Sequence, residues 1–110
     1  MVNVPSKSKT LFGRRLRDAR ISAGIAQDKL GVMIGLDEGS SSARMSRYEN
    51  GIHEPPFVIA EQLAKVLGLS ACYFYCSDDR LAEIILHYSK LSKKEREVYY
   101  PIHASNDIDQ

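Results

Sequence analysis

Ser42, Arg44 and Arg47 lie in the stretch LDEGSSSARMSRYENG (residues 36–51), where hydroxyls and guanidinium groups recur within little more than one helical turn. That combination suits recognition of a polyanion. Arginine presents a rigid fork of N–H donors matched to guanine O6 and N7 or to phosphate, and serine both donates and accepts. The same stretch carries Met45 and Tyr48 at helical spacing, so one side can be held against a core while Ser42, Arg44, Ser46 and Arg47 spread over the more exposed surface. A bland reading exists too, because a basic helix face can simply be solvated.

Other chemistry is weaker. Cys72 and Cys76 with His53, His87 or His103 lack the spacing of a zinc finger, and the cysteines sit among aromatics, which points to buried thiols and no metal site. There is no glycine-rich phosphate loop, and no nucleophile beside a base in a recognisable motif, so no catalytic residue and no cofactor is expected. No small-molecule site is evident either.

The elements that would position the arginines follow from periodicity. Thr10 suits the N-cap of a first helix ending at Gly24, with Leu11, Phe12, Leu16, Ala19 and Ala23 inward and Arg14, Arg15 and Arg17 largely off that stripe; Lys7, Lys9, Arg14 and Arg15 either add electrostatic attraction for a polyanion or are simply solvated. A second helix spans about Gln27 to Ile34, and a third about Ser41 to Asn50, stopped by Gly51. Pro55 or Pro56 opens a fourth, whose apolar positions run from Phe57 to Leu67, and a short fifth covers about Ala71 to Cys76. Asp78 and Asp79 start a sixth helix with Leu81, Ile84, Ile85, Tyr88 and Leu91 at i, i+3, i+4, i+7 spacing. Ser92 and Glu95 form a capping box for a seventh, which contains Val98 and Tyr99 and is ended or kinked by Pro101.

The ordered set Gly13, Leu16, Arg20, Gly24, Gln27, Leu30, Met45 to Gly51, Pro55, Leu63, Ala64, Leu67 and Gly68 resembles the DNA-binding domain of phage repressor and Cro-type regulators, the xenobiotic-response-element family. The resemblance implies an all-α fold: a five-helix domain over residues 10–76 with a helix-turn-helix at helices two and three, followed by a C-terminal helical extension over residues 77–104. It implies that Gln27 contacts backbone phosphate, that Ser41, Ser42, Arg44 and Arg47 meet bases or phosphate, and that backbone N–H groups of Asn50, Ile52 and His53 hold a phosphate. Arg20 and Glu49 match positions that form a structural ion pair between helices one and three.

Three departures stand out. Leu36 to Ser41 carries about four residues beyond the usual tight turn, so either helix three begins earlier or a looped turn ends on Ser40, Ser41 or Ser42 as N-cap. Asp37 and Glu38 are awkward near DNA unless they meet the helix dipole or keep to the outer side of the turn. Ala26 stands where a capping residue is expected, and Gly31 replaces a common alanine, which weakens helix two but allows helix three closer.

The bulk numbers agree with a small soluble domain. The chain has 110 residues, 44% hydrophobic and 26% charged, and no span of membrane length. Its net charge of +1 is uneven: residues 1–50 hold nine Lys/Arg against five acids, and residues 51–110 hold six against nine. The opening lacks the apolar run of a secretory signal, and a cytoplasmic location is expected. The expected function is that of a sequence-specific DNA-binding transcriptional regulator, a repressor occupying an operator on double-stranded DNA as a homodimer. The sixth-helix stripe serves either as that dimer surface or as a cover for the first five helices. The alternative is a helix-turn-helix module that binds a partner protein such as a toxin or a polymerase subunit.

Overall fold

A computed structural model describes residues 10–99, and these are all-helical: six α-helices and one 3-10 turn, without a strand among the described residues. Helix α1 spans Leu11–Ser22, α2 Gln27–Met33, α3 Glu38–Glu49 and α4 Phe57–Leu67; a 3-10 turn spans Ala71–Tyr75, and α5 (Asp79–Lys90) and α6 (Lys93–Arg96) follow. Residues 100–104 of the expected extension, with Pro101 and His103, and Lys7 and Lys9 at the other end, lie outside the described residues.

The core forms where the apolar stripes of α1 to α4 and the 3-10 turn converge. Leu16, Leu30, Met45, Leu63 and Phe74 are fully enclosed there, each a 1.5–3 kcal/mol order of gain on burial. Phe12 stacks against Phe74 with ring centroids 4.9 Å apart, which pins the start of α1 to the 3-10 turn. Thr10 caps α1 by accepting from the Gly13 N–H at 3.0 Å. The helix ends at Ser22, two residues before the expected stop, and Gly24 then takes a left-handed φ of 71° to turn the chain into α2.

Between α2 and α3 the extra residues become helix. α3 starts at Glu38, not at Ser41, with Asp37 as its N-cap residue, and none of the three serines caps it. The close approach that Gly31 allows is real: a Cβ there would collide with Ser41 Oγ and lie 3.0 Å from Met45 Cγ. A side chain there would push into Ser41 and Met45, and the Ser41 hydroxyl uses the proximity to donate to the Asp28 carbonyl of α2 at 2.6 Å.

Elsewhere four expectations change. Pro56 stands just before α4, and Phe57 is 58% exposed instead of joining the apolar face. Cys72 is exposed and Cys76 half-buried, so the pair are not two buried core thiols. The sixth-helix stripe divides: Ala82 is buried and Ile85 and Leu86 pack against the core, while Leu81, Ile84 and Tyr88 face outward. The capping box at Ser92 and Glu95 is formed, but α6 ends at Arg96, leaving Val98 and Tyr99 beyond it.

Candidate nucleic-acid interface

Along α3, Ser41, Met45, Tyr48 and Glu49 fall at i, i+4, i+7 and i+8 and are all buried, which fixes the rotation of the helix about its axis. Ser42, Arg44 and Arg47 are left outside that stripe and are exposed. Neither arginine makes an ion pair or hydrogen bond to any described residue, so both guanidinium groups keep their full donor capacity. Asp37 and Glu38, exposed at the start of the helix, sit at the positive end of its dipole, which favours them there.

The clamp behind α3 is polar at one end. Glu49, 1% exposed in its side chain, accepts from Arg20 Nε at 2.5 Å, from Arg20 Nη2 at 3.2 Å and from Gln27 Nε2 at 3.0 Å. Arg20 also donates to the Ile25 carbonyl at 2.9 Å. One carboxylate thus joins α1, the start of α2 and the end of α3, and Arg20 adds the turn after α1, with no buried side-chain polar atom left without a partner among the described residues. A charge so enclosed is tolerable only because several donors answer it.

The structure places the remaining site residues unevenly. Ser41 is completely buried and its hydroxyl is committed to α2, so it is corrected from a DNA-facing residue to one that packs two helices together. Gln27 is half-buried with its amide N–H turned inward to Glu49, not outward. The backbone N–H groups after α3 are engaged: Asn50 N donates to Ser46 O at 2.9 Å, and Ile52 N and His53 N both reach Arg47 O, at 2.9 and 3.3 Å. Those amides close the helix, and the expected phosphate hold by them is withdrawn; the Asn50 side chain stays exposed, bonded to Ser46 Oγ at 3.1 Å.

Sequence reasoning missed Arg15. It is 6% exposed and donates from Nε and Nη2 to the Cys76 carbonyl at 3.1 and 2.7 Å and from Nη2 to Asp79 Oδ1 at 2.9 Å, with its guanidinium 5.5 Å from the Tyr73 ring centre. A signal was present: Arg15 is three residues after Phe12 and four before Ala19, on the buried stripe itself. It ties α1 to Cys76 and to the start of α5.

The comparisons with known proteins agree with this geometry. The family described as helix-turn-helix domain matches residues 11–72, more than half of the chain. A solved structure, the crystal structure of transcriptional regulator BswR, superposes with a TM-score of 0.74 at 45% sequence identity, covering 84% of this chain and 92% of that one. No curated protein matches the chain. With α2 and α3 packed as a helix-turn-helix inside the matched span, the chain belongs to the helix-turn-helix domain family.

Proposed function

We propose that this protein is a sequence-specific DNA-binding transcriptional regulator of the phage repressor and Cro type, which represses by occupying an operator and performs no chemistry. The observation that carries the reading is the pair of unpaired, exposed guanidinium groups of Arg44 and Arg47 on a helix whose other side is immobilised by Met45, Tyr48 and Glu49. The major groove admits an α-helix, and a fixed rotation lets Arg47 and Arg44 reach base edges or phosphates with Ser42 beside them. Gln27, at the entry to α2, and the exposed Asn50 side chain then border the sugar-phosphate backbone. The likeness to a structure described as a transcriptional regulator supports the same reading.

One such helix reads few bases, and we assign the second to another copy of the chain. Leu81, Ile84 and Tyr88 offer an outward apolar face on α5, extended by Tyr99, whose ring meets that of Tyr88 edge-on at 5.7 Å. A two-fold pair through this face would set two recognition helices on half-sites about 34 Å apart. No helix among the described residues is long and apolar enough to cross a membrane, and a cytoplasmic setting belongs to the proposal.

Selection of bound sequences from a random duplex pool tests the reading directly. The expected result is a pseudo-palindrome with half-sites one turn of DNA apart, bound with affinity that falls steeply as salt rises. Equal binding to every duplex, with tight capture of another protein through α5, would replace regulation by the protein-interaction reading.

A further inference from the structure

The rotation of α3 sorts its exposed residues by what they can touch. Successive side chains on an α-helix turn by about 100°. Ala43 lies two residues from Ser41 and two from Met45, both buried, so it points about 160° away from each and marks the outermost line of the helix. Arg47, exposed and four residues on, is only about 40° from that line. Ser42 and Arg44 sit about 100° to either side of it, on opposite flanks.

Little stands in the way of close approach along that line. One turn before Ala43, a Cβ placed on Gly39 would meet nothing within 4 Å, and Ser40 beside it is small and exposed. Glu38, five residues before Ala43, points about 140° away from it, which carries the acid at the helix start off the outer line. Helical side chains lean toward the N-terminus, so the long Arg47 side chain is directed back over the turn that bears Ala43. A helix seated in the major groove turns its outer line to the base edges and its flanks to the two sugar-phosphate walls.

Resting on the DNA-binding reading of α3, we propose that Ala43 is a specificity determinant whose methyl group packs on the 5-methyl group of a thymine, next to a guanine taken by Arg47. Thymine is the base that offers a methyl group in the major groove, and guanine the one that matches the arginine fork. Four residues of helix rise by about 6 Å against about 3.4 Å per base pair, so the two bases lie within about two base pairs of one another. Arg44 and Ser42, on opposite flanks, hold phosphates of opposite strands and carry no sequence information.

The test uses the full chain and the operator selected from the random pool. Replacing each thymine in turn by deoxyuridine removes the methyl group and nothing else. We expect a thymine in each half-site whose methyl is worth about fourfold in affinity, and no such penalty at that position in Ala43→Gly, checked for folding by circular dichroism. Should glycine loosen α3, Ala43→Gln puts a helix-favouring residue at this exposed position and should change base preference at that base pair alone. Arg44→Ala should weaken operator and random duplex by the same factor and lower the salt slope by about one. A methyl penalty that persists in folded Ala43→Gly, unchanged preference in Ala43→Gln, no thymine methyl that matters, or relaxed base preference in Arg44→Ala would each overturn the assignment. All of these presuppose a selected operator and leave the DNA-binding reading standing, whereas a chain that selects no sequence would sink both.

Discussion

Arg15 and Arg20 on α1 have side chains only 8% and 12% exposed and are matched by carboxylates and carbonyls, whereas Arg44 and Arg47 on α3 are exposed and meet no partner. The first pair spends its donors on holding helices together. The second keeps them for something outside the molecule. Composition cannot separate the two pairs; what separates them is the position of each residue relative to a buried stripe, and whether an acid stands opposite. Removing an enclosed arginine strands its partner in low dielectric, while removing an exposed one leaves only solvated groups behind.

The largest break in this contrast is Arg20→Ala. It leaves Glu49 buried with a single side-chain donor, Gln27, and should cost about 3–5 kcal/mol of stability by chemical denaturation. An unchanged midpoint would mean that the network is not a clamp. Arg47→Ala should do the reverse: stability within about 0.5 kcal/mol of the parent, but about 1–3 kcal/mol lost in binding to the selected operator, with relaxed preference at one base pair. Equal losses on operator and random duplex would reduce Arg47 to a phosphate contact, and no loss would remove it from the interface.

The smallest effect concerns Asp18, the acid of α1 that lacks a partner. Burial first, with a further push from Asp79, raises its folded pKa above 3.8, against the pull of Arg15, Arg14 and Arg17. The folded chain therefore binds this proton more tightly than the unfolded chain does, and the ionised carboxylate subtracts stability above the folded value. That cost fades as pH drops through the raised value toward 3.8. Asp18→Asn should accordingly stabilise the protein at neutral pH, with the gain shrinking toward zero in acid. Denaturation midpoints of parent and variant followed between pH 7 and pH 3 check the sign, and a gain that grows in acid would contradict it.

Local pattern was enough for the all-helical class, because each apolar stripe repeats with the helical period and each stop is a residue with a physical reason to stop. Gly24 and Gly51 both take left-handed φ values, 71° and 77°, where the helices turn away. The Arg20–Glu49 contact was legible only through resemblance, since 29 residues separate the partners. The register of α3 was not legible. Serine, aspartate and glycine are equally at home in a loop and at a helix start, and the choice turned on whether Ser41 had an acceptor across from it. Gly31 supplies that acceptor's approach by leaving room, a fact about two helices and not about either.

By itself the sequence determined the helical class, most of the inner stripes and the helix-turn-helix family, because these depend on neighbours within a few residues. Only the tertiary structure decided which polar side chains are spent: Ser41 on α2, Gln27 on Glu49, Arg15 on the extension. The reason is that a donor is free or committed according to what lies a few ångströms away in space, and for these residues that partner comes from another element of the chain.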